Sequence, residues 1–102
     1  MRLKTSVKAA ALLRYAEQSG GFGVVLHKGD PDGGVLFAQF RRGREMCLYQ
    51  ERGGRFEART EGWVPEFDAA EIVRRERDFD RDLWLVEIEG PDAETLLSAL
   101  EF

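Results

Sequence analysis

Apolar side chains recur at helical spacing at both ends of the chain. Between residues 5 and 19 they stand three or four positions apart, as in an amphipathic helix with one buried face, at Ala9, Leu12, Leu13 and Ala16. Gly20 and Gly21 follow and can end this helix in the left-handed conformation. A last helix is predicted after Pro91, because the same spacing returns at Ala93, Leu96, Leu97 and Leu100.

The middle of the chain alternates short apolar segments with turns rich in glycine. Strands are predicted over residues 22–28, 35–40, 45–51 and 55–60. In the first turn, Gly29-Asp30-Pro31-Asp32-Gly33, the proline presets the backbone φ and the Asp30 side chain can accept a backbone hydrogen bond. Consecutive strands joined by short turns predict an antiparallel meander.

A second helix and a further strand complete the pattern. The helix is predicted to open at Phe67-Asp68, and its apolar positions form a thin stripe beside a dense charged face. The strand Leu83-Trp84-Leu85-Val86 is apolar at every position, which is typical of a strand buried on both faces within a sheet. We expect this strand to be internal and to lie beside the first strand.

These elements predict an α+β fold with the order α-β-β-β-β-α-β-α. We expect a single antiparallel sheet of about five strands, a meander plus the internal C-terminal strand, with three helices mainly on one face. A chain of 102 residues has the size of one domain. Residues 1–102 are therefore predicted to fold as a single domain.

Three separate blocks of sequence carry a resemblance to a known family. They are RLKTSVKAAALLRYAE at residues 2–17, the turn Gly29-Asp30-Pro31-Asp32-Gly33, and RDFDRDLWLVEIEG at residues 77–90. Together they resemble the bacterial domain-of-unknown-function family 1491 over nearly the whole chain. The resemblance implies a stand-alone protein of this length. It supplies no catalytic residues, because that family has no assigned function.

Composition favours a cytoplasmic protein without disulfides. Cys47 is the single cysteine and has no partner within the chain. No signal-peptide pattern opens the sequence at Met1, and no apolar segment approaches the roughly 20 residues that a membrane helix needs. We therefore expect a cytoplasmic location and no membrane partner.

The net charge of −4 conceals a split between the two parts of the chain. Residues 1–60 carry 11 Lys and Arg against 6 Asp and Glu, whereas residues 61–102 carry 4 against 13. A basic half can form a nucleic-acid face, but oppositely charged halves can also attract each other within one fold or across a dimer. We favour the second interpretation, because phosphate repels a negatively charged molecule.

The sequence lacks the usual catalytic constellations. His27 is the only histidine, and nucleophile–histidine sites and most zinc sites need at least that residue. His27 could act as a general base oriented by Asp30 or Asp32, but no nucleophile lies nearby in the sequence, so we interpret it as a strand-end histidine. Cys47 is interpreted as a packed cysteine. We predict no catalytic residue and no cofactor.

Four carboxylates near the last strand leave a metal-dependent enzyme as an alternative. They are Asp80, Asp82, Glu87 and Glu89. No lysine occurs after Lys28, which argues against a metal nuclease, and Glu87 shares a strand face with Leu83 and Leu85, so the strand can simply emerge into water. We predict no metal site here.

Arginines in the second hairpin turn leave a nucleic-acid or phosphate binder as another alternative. The candidates are Arg41, Arg42 and Arg44. In a meander, successive turns lie at opposite ends of the sheet, so these arginines would stand about 20 Å from Arg52 and Arg55. Few aromatic residues accompany them, which weakens a platform for stacking bases.

An aromatic set supports the function that we favour. Its members are Trp63, Phe67, Phe79 and Trp84. They exceed what a thin second helix would cover, so an exposed part of the set is a candidate interface, although all four could instead be core residues. We predict a non-catalytic protein-interaction module whose partner is a protein, with a homodimer as one form and nucleic acid as a less favoured partner.

Overall fold

One six-stranded sheet carries helices on both of its faces. The computed structural model describes residues 3–100 and 102. In chain order, these residues form α1 (Thr5–Gln18), β1 (Phe22–His27), β2 (Leu36–Arg42), β3 (Glu45–Arg52), β4 (Arg55–Ala58), β5 (Val64–Pro65), α2 (Glu66–Phe79), β6 (Trp84–Glu89) and α3 (Ala93–Ser98). The strand order is β1-β6-β2-β3-β4, and the short β5 pairs with the beginning of β3.

The predicted α+β class and element order are confirmed, but the sheet is mixed rather than purely antiparallel. β6 lies between β1 and β2, as the apolar run predicted. It pairs antiparallel with β1 and parallel with β2, where Trp84 stands beside Leu36. A meander would pair β1 with β2 directly, and the insertion of β6 separates them.

The connection from β1 to β2 is built to admit β6 rather than to close a tight hairpin. The Asp30 amide donates to the Asp82 carbonyl at 3.0 Å, and the Trp84 indole donates to the Asp30 carbonyl at 2.7 Å. A Cβ at Gly29 or Gly34 would collide with the Asp82 carbonyl oxygen, and Gly34 has a φ of +85°. The glycines are therefore required for the close approach of the two backbones.

The larger core lies between the sheet and the helices α1 and α3. We call this side the closed face, and its sheet residues are Leu36, Ala38, Phe40, Cys47, Trp84, Val86 and Ile88. The predicted stripes of both terminal helices are buried against it, with Leu12 and Ala16 of α1 fully inaccessible. The closed face holds most of the buried apolar surface of the described chain.

The opposite side, which we call the open face, carries α2 and a smaller core. Its sheet residues include Phe37, Gln39, Leu48, Leu85 and Glu87, and alternation along the strands separates them from the closed face. Val73 and Ile72 of α2 pack on Phe37 and Leu48. α2 contacts β3 and β5, so it covers only one half of the open face.

The other half of the open face, over β1, is exposed. Phe22, Val24 and Leu26 alternate along β1 and retain 64%, 37% and 50% of their accessible surface. Two of the predicted three helices thus share one face, whereas the third partly covers the other. The uncovered half creates the main surface feature of the molecule.

Candidate functional site

A groove of about 850 Å³ lies between α2 and the uncovered half of the open face. The floor of the groove includes Leu26, Gln39, Leu85 and Glu87, and its helical wall includes Arg74 and Arg77. The volume falls within the roughly 300–1,000 Å³ of typical ligand sites. This groove is the candidate functional site.

Regular spacing brings the lining residues together. On α2, residues 66, 70, 74 and 77 are three or four positions apart and therefore share one side of the helix. On the sheet, Leu85 and Glu87 are two positions apart and point to the same face. A register shift between Val25 and His27 brings both Leu26 and His27 to the groove.

The floor contains a polar network whose members satisfy one another. The Gln39 side-chain amide donates to Glu87 at 2.8 Å. The Arg41 guanidinium bonds Glu66 at 2.7 Å and approaches Glu87 at 3.1 Å. These bonds raise the pKa of Arg41, and the hydrogen bond from Arg41 lowers the pKa of Glu66. The pairing therefore favours the charged form of both groups.

The other three arginines that line the groove differ in whether a carboxylate pairs with them. Arg74 is paired with Glu71 at 3.1 Å and with Asp78 at 3.6 Å. Arg77 and Arg81 also line the groove, and neither makes an ion pair with any residue that the structure describes. Their guanidinium groups are the available positive charges of the site.

His27 lines the groove without the partners of a general base. Its Nε2 atom is buried and has no hydrogen-bond partner among residues 3–100 and 102. The Asp32 carboxylate pairs with Lys4 at 3.3 Å, and the contacts of Asp30 run through its backbone to Asp82 and Trp84. Neither carboxylate makes a hydrogen bond to His27 within the described part of the chain.

The predicted aromatic set is dispersed rather than gathered. Trp84 is buried in the core, and Trp63 is half-buried with the Arg42 guanidinium 4.2 Å from its ring centroid. Phe67 and Phe79 are 71% and 91% exposed, at the two ends of α2. Only these two members are available at the surface, and neither lines the groove.

The arginines of the β2–β3 turn do not form a free basic patch. Arg41 is held by Glu66 and Glu87, and Arg42 pairs with Glu45 at 3.2 Å. Arg44 is exposed, and its backbone carbonyl accepts from the Glu66 amide at 3.0 Å. Carboxylates thus already neutralise two of the three candidates for an anion site.

The four carboxylates considered for a metal do not converge. Asp80 accepts hydrogen bonds from the amides of Asp82 at 2.9 Å and Val35 at 3.3 Å, which holds the turn before β6. Glu87 belongs to the floor network, and Glu89 is exposed. Within the described part of the chain, no group of three or more His, Cys, Asp or Glu could hold a metal ion.

Cys47 is buried in the core of the closed face. Burial raises the pKa of the Cys47 thiol, which disfavours the reactive thiolate. No helix within residues 3–100 is long and apolar enough to cross a membrane.

Sequence reasoning missed the exposed stripe of β1. Phe22, Val24 and Leu26 were interpreted only as part of an ordinary strand. The sequence signal for this stripe is that FGVVLH contains no charged residue, so the side chains on both faces of the strand are apolar or neutral. Such a strand leaves apolar side chains in water if one face stays uncovered.

Comparisons with known proteins agree with the fold. The family model described as "Protein of unknown function (DUF1491)" matches residues 3–98. The solution structure of protein Atu0922 from A. tumefaciens is 37% identical, with 96% of this chain and 94% of that chain covered and a TM-score of 0.85. No functionally curated protein matches the chain.

Two structures of a DUF1491 family protein from Caulobacter crescentus CB15 are also similar. The crystal structure is 32% identical, covers 96% of both chains and has a TM-score of 0.80. The NMR structure is 31% identical, covers 96% of this chain and 94% of that chain and has a TM-score of 0.79. The predicted resemblance is therefore confirmed, and the chain belongs to the DUF1491 family, whose function is unknown.

Proposed function

We propose that this chain is a non-catalytic protein-interaction module that binds an acidic, partly apolar segment of another protein in the groove. The observation that carries the proposal is that the groove combines an exposed apolar side chain, Leu26, with two arginines that have no ion-pair partner among the described residues. Leu26 would contact the nonpolar side chains of such a segment, and the two arginines would pair with its carboxylates.

The apolar part of the groove supports docking of nonpolar side chains. Leu26 is half exposed, while Leu85 and Val73 are buried beneath the groove by the surrounding elements. Covering Leu26 and its neighbours with a partner would remove apolar surface from water, which is the main favourable term in association.

The charged part of the groove supports an acidic partner. Arg77 and Arg81 can form bidentate hydrogen bonds to carboxylates, and arginine is enriched at protein interfaces. The floor network around Arg41 is internally satisfied, so recognition falls to these two side chains.

The chemistry of the lining residues supports binding rather than catalysis. Glu66 is kept charged by Arg41 and therefore holds no proton to donate at neutral pH. No serine, cysteine or lysine is among the lining residues. A groove that combines an internally paired floor network, apolar side chains and two available guanidinium groups suits recognition better than proton transfer.

A pair of synthetic peptides tests the proposal. Both have the same length and leucine spacing of an amphipathic helix, and the polar positions are glutamate in one and lysine in the other. We expect fluorescence anisotropy to show binding of the acidic peptide alone. The double variant Arg77→Glu, Arg81→Glu should reverse this preference.

Arg75→Glu provides the matched control, because Arg75 lies on the same helix and outside the groove. It should change the affinity of the acidic peptide by less than about twofold, a difference that salt screening can produce. Equal binding of both peptides, or equal loss in the control, would overturn the proposal. Tighter binding of a single-stranded oligonucleotide than of the acidic peptide would favour the nucleic-acid alternative instead.

A further inference from the structure

The outer edge of β1 is unpaired. β1 stands at one end of the strand order, and β6 is its only neighbour in the described sheet. No backbone group of residues 22–27 makes a turn or loop hydrogen bond that would cover this edge. The outward amides and carbonyls of β1 are therefore available to another strand.

β1 also lacks the usual protection of an edge strand. Its sequence, FGVVLH, contains no lysine, glutamate or proline. Phe22 to Val25 stay in regular register with β6, and the irregularity begins only between Val25 and His27. Natural edge strands usually carry charge, proline or a disruptive bulge, because a regular apolar edge pairs readily with another chain.

We infer that β1 pairs antiparallel with β1 of a second copy of this chain, across a twofold axis that joins the two sheets. A twofold interface brings the same surface of each copy together. The exposed stripe of Phe22, Val24 and Leu26 then meets the same stripe, so apolar side chains stand opposite apolar side chains and no like charges are opposed. On the closed face, Gly23 lies beneath Leu13 of the same chain, and α1 covers this side without closing the edge.

The charges at the two ends of β1 complement each other in this arrangement. Lys28 follows the C-terminal end of β1, and Glu89 stands beside Phe22 at the other end. Both residues are exposed, and neither makes an ion pair with a described residue. Antiparallel pairing in which the two β1 strands overlap along their full length brings Lys28 of one copy toward the Glu89 end of the other, and does so twice.

This inference goes beyond the proposed function, because it uses the backbone edge of β1 rather than the arginines of the groove. It would stand if no acidic segment bound the groove. Conversely, the groove proposal would stand if the protein remained monomeric. The double variant Arg77→Glu, Arg81→Glu should therefore leave self-association unchanged.

Sedimentation equilibrium over a concentration series tests the inference. We expect the wild-type protein to form dimers and no larger species, since the pairing uses the β1 edge of each copy. Phe22→Lys should raise the dimer dissociation constant by about tenfold, because it replaces apolar cross-strand contacts of the stripe, in both symmetric halves of the interface, with a charged side chain. Phe79→Lys is the matched control, since Phe79 is an exposed phenylalanine on α2 and not part of the β1 stripe.

A charge exchange tests the orientation of the two copies. Lys28→Glu and Glu89→Lys should each weaken the dimer, and the double variant should restore it. Wild-type protein that stays monomeric up to its solubility limit would overturn the inference. Equal weakening by Phe22→Lys and Phe79→Lys, or a double variant weaker than both single ones, would also contradict β1 pairing, with circular dichroism verifying that each variant is folded.

Discussion

The closed and open faces of the sheet differ in what covers them. On the closed face, α1 and α3 bury a continuous apolar layer that includes Phe40 and Val86. On the open face, α2 covers Phe37 and Leu48 but leaves β1 exposed beside a charged network. Buried apolar side chains therefore concentrate on the closed face, whereas the open face leaves exposed the surface to which the proposed function assigns binding.

The largest expected effect on stability comes from truncating a buried phenylalanine on the closed face. The same substitution at an exposed phenylalanine on the open face is the comparison. Phe40→Ala should lower the free energy of unfolding by about 3–5 kcal/mol, because the side chain is fully buried and leaves a cavity. Phe22→Ala should lower it by less than about 1 kcal/mol, because Phe22 is largely exposed. Urea denaturation followed by circular dichroism measures both, and similar losses would contradict the division between the faces.

A smaller effect is expected for the network on the open face. Arg41→Met should lower the free energy of unfolding by about 2 kcal/mol, because it leaves the largely buried Glu87 without its cationic partner. Arg52→Met is the control. Arg52 and Glu57 form an exposed pair, which should contribute less than about 0.5 kcal/mol.

The ion pair between Arg41 and Glu66 also predicts how the stability of Arg41→Met depends on pH. Arg41 lowers the pKa of Glu66 in the folded protein below its ordinary value of 4.5. Such a carboxylate stabilises the fold above its ordinary pKa and loses that contribution as the pH falls through the lower, folded value. The difference in the free energy of unfolding between wild type and Arg41→Met should therefore narrow below pH 4.5. A difference that widens there would contradict the stabilisation of the Glu66 carboxylate by Arg41.

The smallest effect on stability is expected at the groove floor, where binding should change instead. Leu26→Ala should alter the free energy of unfolding by less than about 1 kcal/mol, since half of the side chain is already in water. It should weaken binding of the acidic peptide by about fivefold, as lost apolar contact implies. Leu3→Ala removes an exposed leucine outside the groove and should leave the affinity unchanged.

Periodicity predicted the closed face well, because burial there follows from local spacing. The stripe of α1 at Ala9, Leu12 and Ala16 and the apolar run of β6 each report on their own surroundings. The parallel pairing of β6 with β2 could not be predicted in this way, since it depends on how the glycine-rich connection after β1 opens. Long-range pairing is decided by backbone fit between distant segments.

The groove was predicted only in fragments. His27, Arg41 and Glu87 were each considered, but as a general base, an anion ligand and a metal ligand, whereas the structure gathers them along one groove. Arg77 and Arg81, which make no ion pair with a described residue, were not predicted as site residues, because a charged helix face is typical of solvated surface. Their significance arises from the position of α2 over half of a sheet face, which no local pattern encodes.

An NMR titration tests the central claim, that the open face is the binding face, most directly. The acidic amphipathic peptide is added to isotopically labelled protein, and amide shifts are followed along the chain. We expect changes at Leu26, Leu85 and Arg77, with residues of α1 and α3 unaffected. Shifts concentrated on α1 and α3, or no shifts at saturating peptide, would contradict the account.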